Sequence, residues 1–331
     1  MLFTGWHSPC SNKAAMKRIL TSLLAVPLAL AILPDQAMCA KSGIKVKPLY
    51  TLSNFTGPVP YNQVRLTVDP ANGEIFVLDP KGNDIRIFNR VGMEVHRTGT
   101  YRDLGVPLDL AVTKDGGIDL LVRGSGRHLV YRCDYRGKAV SVFEFTGVPE
   151  SFTRMRSDRI LWKNGLLYLA DTQSLQVAVF DASGRYQKGY GLADILKLED
   201  GHTGDNSMFG FTVDGEGSLL FTIPTLFSVY RVSAAGKVEV FGEAGSSPGK
   251  FSIVSGVAVD NDGHIYLSDR NRSVVMIYSP ELKFLHEFGY RGIGPAGLIV
   301  PRDLGVDGNG TVYVSQMGSR GIKAFRASLV Q

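Results

Sequence analysis

The sequence predicts an all-β chain folded as a six-bladed antiparallel β-propeller, with the last blade closed by a strand from near the N-terminus. Three observations predict it. A turn glycine returns six times, a second glycine register keeps step with the first, and a strand near the start supplies what the last unit lacks. A four-stranded unit recurring every 40–50 residues or so is the mark of a propeller blade.

The first-turn glycines are Gly73, Gly117, Gly165, Gly217, Gly263 and Gly310, spaced 44, 48, 52, 46 and 47 residues apart. The second register, Gly92, Gly137, Gly184 and Gly236, follows 19 or 20 residues behind. Each unit reads as four short strands. In the fifth they fall at 256–259, 265–268, 274–278 and 284–288, separated by Asn-Asp-Gly, Arg-Asn-Arg and Pro-Glu-Leu-Lys. The blade units run at about 58–101, 102–150, 151–191, 192–245, 246–290 and 291–326, the last completed by 46–57. The sixth unit supplies strands at 304–306, 312–315 and 322–325, and then the chain nearly ends. Leu49-Tyr50-Thr51-Leu52-Ser53-Asn54-Phe55 matches the fourth strand of other units, such as Phe284-Leu285-His286-Glu287-Phe288. Pairing it with 322–325 closes the ring and leaves no open sheet edge in it. An open array or an immunoglobulin-like sandwich is the competing reading, and neither explains the matching orphan strand.

The string Gly249-Lys250-Phe251 … Gly256-Val257-Ala258-Val259-Asp260 … Gly263-His264-Ile265-Tyr266-Leu267-Ser268-Asp269 … Val274 … Tyr278, ending Phe288-Gly289, resembles the NHL repeat. Units one, three and six resemble it more loosely. Units two and four carry Arg123 and Ile223 where that family prefers Asp. The resemblance spans about residues 46–326 and implies a propeller; propellers host many functions, so it implies none in particular.

Residues 1–40 read as an N-terminal extension and secretory signal peptide, and 41–331 as the propeller. Met16-Lys17-Arg18 opens a basic segment and is read as the true start; Ile19 to Leu33 is an uncharged, mostly apolar run; Pro34 to Ala40 is polar, then small. That order is a secretory leader, short for a membrane span, with removal expected near Ala40 or Lys41. An uncleaved anchor and a lipid-modified Cys39 are the competing readings. The expectation is a periplasmic or secreted chain with no membrane span once mature.

Charged residues are 20% and apolar residues 44% of the 331, ordinary for a globular protein. Losing Lys13, Lys17, Arg18 and Asp35 with the leader takes the net charge from +5 to +3. A dedicated nucleic-acid binder carries a stronger basic excess, so no nucleic-acid partner is expected. Of Cys10, Cys39 and Cys133 only the last remains after cleavage, which excludes a disulfide framework. No Cys-x-x-Cys-His occurs, so no c-type haem is attached.

Function in a propeller gathers at the channel mouth, where the innermost strands begin. Counting four residues back from the aligned strand ends gives Arg65, Asp109, Asp158, Gly210, Gly256 and Asp303. Converging carboxylates suit a hard cation such as Ca²⁺, with Asp109 and Asp303 as its ligands; the alternative is that they cap strand starts. Arg154, Arg156 and Arg159 crowd the approach to unit three, and Arg302 leads into unit six. Guanidinium forks suit planar anions; a solvated loop surface is the plainer account of the same arginines. The binding set is therefore Arg65, Asp109, Arg154, Arg156, Asp158, Arg302 and Asp303, with no cofactor beyond that cation.

NHL propellers resemble a peptide α-amidating lyase domain and, more distantly, gluconolactonase-like metal hydrolases. Neither a metal–histidine set nor a Ser-His-Asp set assembles from His96, His128, His202, His264 and His286, so no catalytic residue is assigned. The expected function is a rigid binding or scaffold module for a protein, peptide or glycan partner. A metal-dependent lyase or lactonase of the channel is the alternative.

Overall fold

The computed structural model describes residues 43–61, 64–69, 71–99, 101–124, 126–198 and 206–329. The leader reading on 1–40 and His202 lie outside them. Six four-stranded antiparallel sheets follow one another along the chain. Blade one comprises Arg65–Val68, Ile75–Asp79, Asp84–Phe88 and Glu94–Arg97. Blade two comprises Val106–Val112, Ile118–Arg123, His128–Cys133 and Ala139–Val142. Blade three comprises Arg159–Lys163, Leu166–Asp171, Gln176–Phe180 and Tyr186–Gly191. Blade four comprises Phe211–Val213, Leu219–Ile223, Ser228–Val232 and Val238–Phe241. Blade five comprises Val254–Val259, Ile265–Asp269, Val274–Tyr278 and Phe284–Phe288. Blade six joins Pro301–Val306, Thr311–Gln316 and Ile322–Leu329 to Ile44–Thr51. First strands of neighbouring blades touch all the way round, so they form a ring about one axis.

The blades are buried on both faces, which is why their second strands read as unbroken apolar runs rather than alternating ones. Side chains alternate across a strand. Accordingly, in Ile75–Asp79 the side chains of Ile75 and Val77 join the cluster shared with blade six, and Phe76 and Leu78 join the one shared with blade two. Six such clusters fill the six gaps between blades. Each fully buried Leu or Ile in them stabilises by roughly 1.5–3 kcal/mol relative to exposure.

Ring closure follows the predicted scheme with shifted limits. The N-terminal strand is Ile44–Thr51 rather than 49–55, and it pairs with Ile322–Leu329 through Lys47↔Arg326, Pro48↔Phe325 and Thr51↔Lys323. Leu52 N–H still bonds Ile322 O at 2.9 Å, after which the chain turns into a small hairpin, Ser53–Asn54 with Gly57–Pro58. Inner strands also begin earlier than expected, at Val254 and Pro301, because β-bulges between Val254 and Val257 and between Pro301 and Leu304 interrupt the apolar pattern. Among the described residues no helix is long and apolar enough to cross a membrane.

Leu52 and Ile44 are buried by this closure. Deleting residues 44–52 leaves Ile322–Leu329 as a bare edge and uncovers the cluster between blades six and one. The expected outcome in a thermal melt is a lower, broader transition; a truncated chain melting like the parent contradicts the closure.

Candidate binding site at the channel mouth

The inner strands all start on one face of the ring. Blade three begins its inner strand with Arg159, which is 8% exposed. Its Nε lies 3.3 Å from Asp109 Oδ2 in blade two, and its Nη2 lies 3.5 Å from Asp303 Oδ1 in blade six. In a ring of six, blades three and six stand opposite, so the guanidinium crosses the axis. Asp109 and Asp303 are buried as well, at 4% and 7% exposure. Each sits where a bulge interrupts its inner strand, and a bulge re-aims a side chain.

The same carboxylates stitch blades together. Asp109 Oδ2 accepts Ile160 N–H of blade three at 3.1 Å, and Asp303 Oδ2 accepts Leu66 N–H of blade one at 3.2 Å. Blades four and five use hydroxyls for this purpose, and blade six uses one within its own sheet. Thr222 Oγ1 accepts Gly210 N–H at 2.9 Å and donates to Ser255 O at 2.7 Å. Ser268 Oγ accepts Gly256 N–H at 2.8 Å and donates to Arg302 O at 2.6 Å. Ser315 Oγ accepts Asp303 N–H at 2.8 Å. The glycines are required here by close approach: a Cβ on Gly210 would strike Ser255 O, and one on Gly256 would strike Arg302 O.

Burial pushes the Asp109 carboxyl above its usual range, against the pull of Arg159 and Arg65. Burial alone would lower Arg159, but Asp109 and Asp303 outweigh it and hold the guanidinium firmly charged. Arg65 is lowered, first by burial and then by the nearby Arg159, with Asp303 and Asp109 opposing. Two cations and two carboxylates thus share the axis. Below them a cavity of about 160 Å³ is lined by Asp109, Arg159 and the inner strands; above them a mouth of about 330 Å³ is lined by Arg65, Arg123, Arg302, Phe209 and Asp303.

The remaining predicted residues divide. Arg65 and Arg302 are at the mouth. Arg154 and Arg156 are exposed on an open groove of about 1540 Å³ between blades two and three, on the same face. Asp158 is a partial correction: it makes no ion pair with Arg159, although its charge helps hold Arg159 and Arg65 charged, and it binds Thr172, through Thr172 N–H at 3.0 Å and Thr172 Oγ1 at 2.6 Å. Blade three closes its first hairpin with the two-residue turn Asn164-Gly165, both at positive φ, where blades five and six use residues 260–264 and 307–311. Counting back from the glycine therefore lands one residue early, and the inward position is Arg159. The Asn-Gly pair, a two-residue hairpin signal, was the readable warning.

In blades three, five and six the residue six past the turn glycine ties down the loop leading into its blade. Asp171 accepts Arg156 N–H, Asp269 accepts Ser252 N–H and Gln316 accepts Ile299 N–H. In blade two this position is Arg123, exposed, bordering both mouth and groove.

As cation ligands Asp109 and Asp303 fit poorly, since each already serves Arg159 and a backbone N–H. Among the described residues the one grouping of three donors within 4.8 Å is Asp260, Asp262 and His264, in the turn that ends the inner strand of blade five. Asp260 there already receives His264 Nδ1 at 3.1 Å and Tyr266 Oη–H at 3.0 Å. His128, at the groove, has Nδ1 2.6 Å from Ser157 O.

Arg159→Met leaves both axial carboxylates buried without an ion-pair partner, with only Arg65 nearby, at a cost of about 3–5 kcal/mol. Asp109 then rises further above its unfolded value, so the native variant keeps a proton that the unfolded chain has released. Stability is retained below that range and lost as pH rises through it. The deficit against the parent should be smallest in mild acid and largest at neutral pH, read from thermal midpoints across pH. A pH-independent deficit, or none, contradicts the crossbar.

The chain matches no family model, and no curated protein by sequence. Among solved structures it is similar to a protein of unknown function from Bacteroides thetaiotaomicron, with a TM-score of 0.62 and 16% identity over 86% of this chain and 76% of that one. It is similar to a gluconolactonase from Xanthomonas campestris, with a TM-score of 0.57 and 11% identity over 88% and 93%. It is similar to virginiamycin B lyase from Staphylococcus aureus, with a TM-score of 0.56 and 12% identity over 86% and 99%. What these likenesses share with the chain is its fold, a six-bladed β-propeller.

Proposed function

We propose that the chain is an exported, divergent NHL-type propeller that acts as a rigid binding module, presenting its strand-start face to a protein, peptide or glycan partner. One observation carries the reading. The axial carboxylates are engaged by Arg159 and by backbone N–H groups, whereas arginines around them on the same face are unpaired. Among the described residues Arg65, Arg123, Arg127, Arg154, Arg156 and Arg302 form no ion pair within 4.0 Å. Elsewhere Arg86, Arg97, Arg231 and Arg272 each hold a carboxylate, while Arg90, Arg136 and Arg291 do not; what sets the six apart is that they gather on one face.

The second reading is a metal-dependent lyase or lactonase of the channel, favoured by the lyase and gluconolactonase named above with the same fold. It needs a cation at the axis. A ligand at a hundred times its Kd stabilises by about 2.7 kcal/mol, a shift of several degrees. The expected result with millimolar Ca²⁺ is an unchanged melting midpoint. The binding surface is tested with a photo-crosslinker on Arg154→Cys against one on Val140→Cys, an exposed position on the outermost strand of blade two. A discrete envelope-fraction adduct from position 154 alone supports the module. Equal adducts from both positions, or a Ca²⁺ shift lost in Asp109→Asn, favours the alternative.

A further inference from the structure

Three features of the strand-start face between blades two and three point to the chemistry of what binds there. The first is charge. Arg123, Arg127, Arg154 and Arg156 line the groove, and Arg123 also borders the channel mouth with Arg65 and Arg302. The cationic surface therefore runs without a break from groove to axis. Of the carboxylates on the groove, Asp158 is bonded by Thr172, and Asp171 by the N–H groups of Arg156, Gln173 and Ser174. Glu144 is the one exposed acid among the lining residues. Unpaired guanidiniums at this density repel one another, and an incoming anion relieves that repulsion.

The second feature is apolar. A cleft of about 290 Å³ lies in the same gap between blades, walled by Val130, Phe145, Val148, Phe152, Met155 and Phe180, and it shares His128, Phe145, Thr153 and Met155 with the groove. One water takes up ~30 Å³ of liquid, so the cleft has space for one large apolar side chain. Phe145, Val148, Phe152 and Met155 are half-buried rather than sealed in.

The third feature is the position of Arg123. In blades three, five and six the equivalent residue anchors the loop of its own blade. In blade two an arginine stands there, exposed where the two cavities meet.

We infer that the groove between blades two and three, continued across Arg123 to the channel mouth, binds an extended acidic peptide segment of a partner protein that carries one large apolar side chain. Acidic residues meet Arg123, Arg127, Arg154 and Arg156, with guanidinium forks on carboxylates, and the apolar residue fills the cleft under Met155 and Phe145. An acidic glycan or polyphosphate satisfies the arginines but brings nothing for the cleft, which is why the peptide is favoured. The inference rests on the binding-module reading and narrows it to one partner class.

The test uses fluorescence anisotropy with the full folded chain and four labelled probes: a dodecapeptide of glutamates around one central phenylalanine, the same peptide with serine for phenylalanine, the same with lysine for every glutamate, and a sulfated hexasaccharide. The Glu/Phe peptide should bind most tightly, and its affinity should fall with salt as screening sets in. Replacing Phe by Ser should weaken it several-fold. Arg123→Gln with Arg156→Gln, both at exposed side chains, should weaken it by about tenfold or more. Val91→Gln, at an exposed turn of blade one, should leave it unchanged. Tighter binding of the saccharide, or equal binding of the Phe and Ser peptides, overturns the peptide assignment. Binding of the Lys peptide instead overturns the charge assignment while leaving the binding module standing. An absence of binding by all four overturns the inference, and the crosslinking at position 154 then decides separately whether the face binds anything.

Discussion

One guanidinium holds the centre of this ring. Arg159 starts in blade three, bonds Asp109 in the blade beside it, and reaches Asp303 in the blade opposite. Placing charges in a buried site costs desolvation energy that their attraction only partly offsets, so such a pair is weak evidence for net stability. What it fixes is position. Asp109 and Asp303 also take N–H groups of Ile160 and Leu66 in the next inner strands, so the ion pairs and the inter-blade stitches share the same carboxylates. Breaking the pair therefore disturbs blade packing and channel mouth together.

Two solutions to one problem divide the ring. Inner strands converge where there is no room for a further sheet to satisfy them. Blades four to six answer with Thr222, Ser268 and Ser315, compact hydroxyls beside glycines that let backbones approach. Blades two and six bring carboxylates and blade three brings the arginine. Blades four and five, held by hydroxyls, are tight and uncharged there; blade six carries both devices, and blades two and three face the groove and its arginines. Unpaired arginines accordingly gather over blades two and three, on a scaffold whose six gaps between blades are filled by apolar clusters.

Most of the architecture was legible because a tight turn that needs positive φ demands glycine, and that demand repeats with the blade. The inward placing of Asp109 and Asp303 came from that register, although in blade two the positive φ falls on Gly116 rather than Gly117; the closing strand came from its likeness to other fourth strands. Arg159 was hidden by the shorter Asn164-Gly165 turn, which moved the register by one residue. The hydroxyl relay left a trace at five residues past Gly217, Gly263 and Gly310, a position where blades one to three carry Leu78, Val122 and Ala170. The groove left a partial trace in Arg154 and Arg156, but its walls come from loops whose approach depends on how two neighbouring blades pack. Arg123, in place of the expected Asp, marked its junction with the channel mouth.

The claim that a charged crossbar closes the axis and leaves recognition to the surrounding arginines can be measured on a single proton. The Nε–H of Arg159, observed in a ¹⁵N-resolved spectrum of the arginine side chains, should exchange slowly with solvent, because it is buried against Asp109. Those of Arg154 and Arg156, which are exposed, should exchange fast. An Arg159 Nε–H that exchanges as fast as these two would mean that the guanidinium does not span the channel, and the account would fail at its centre.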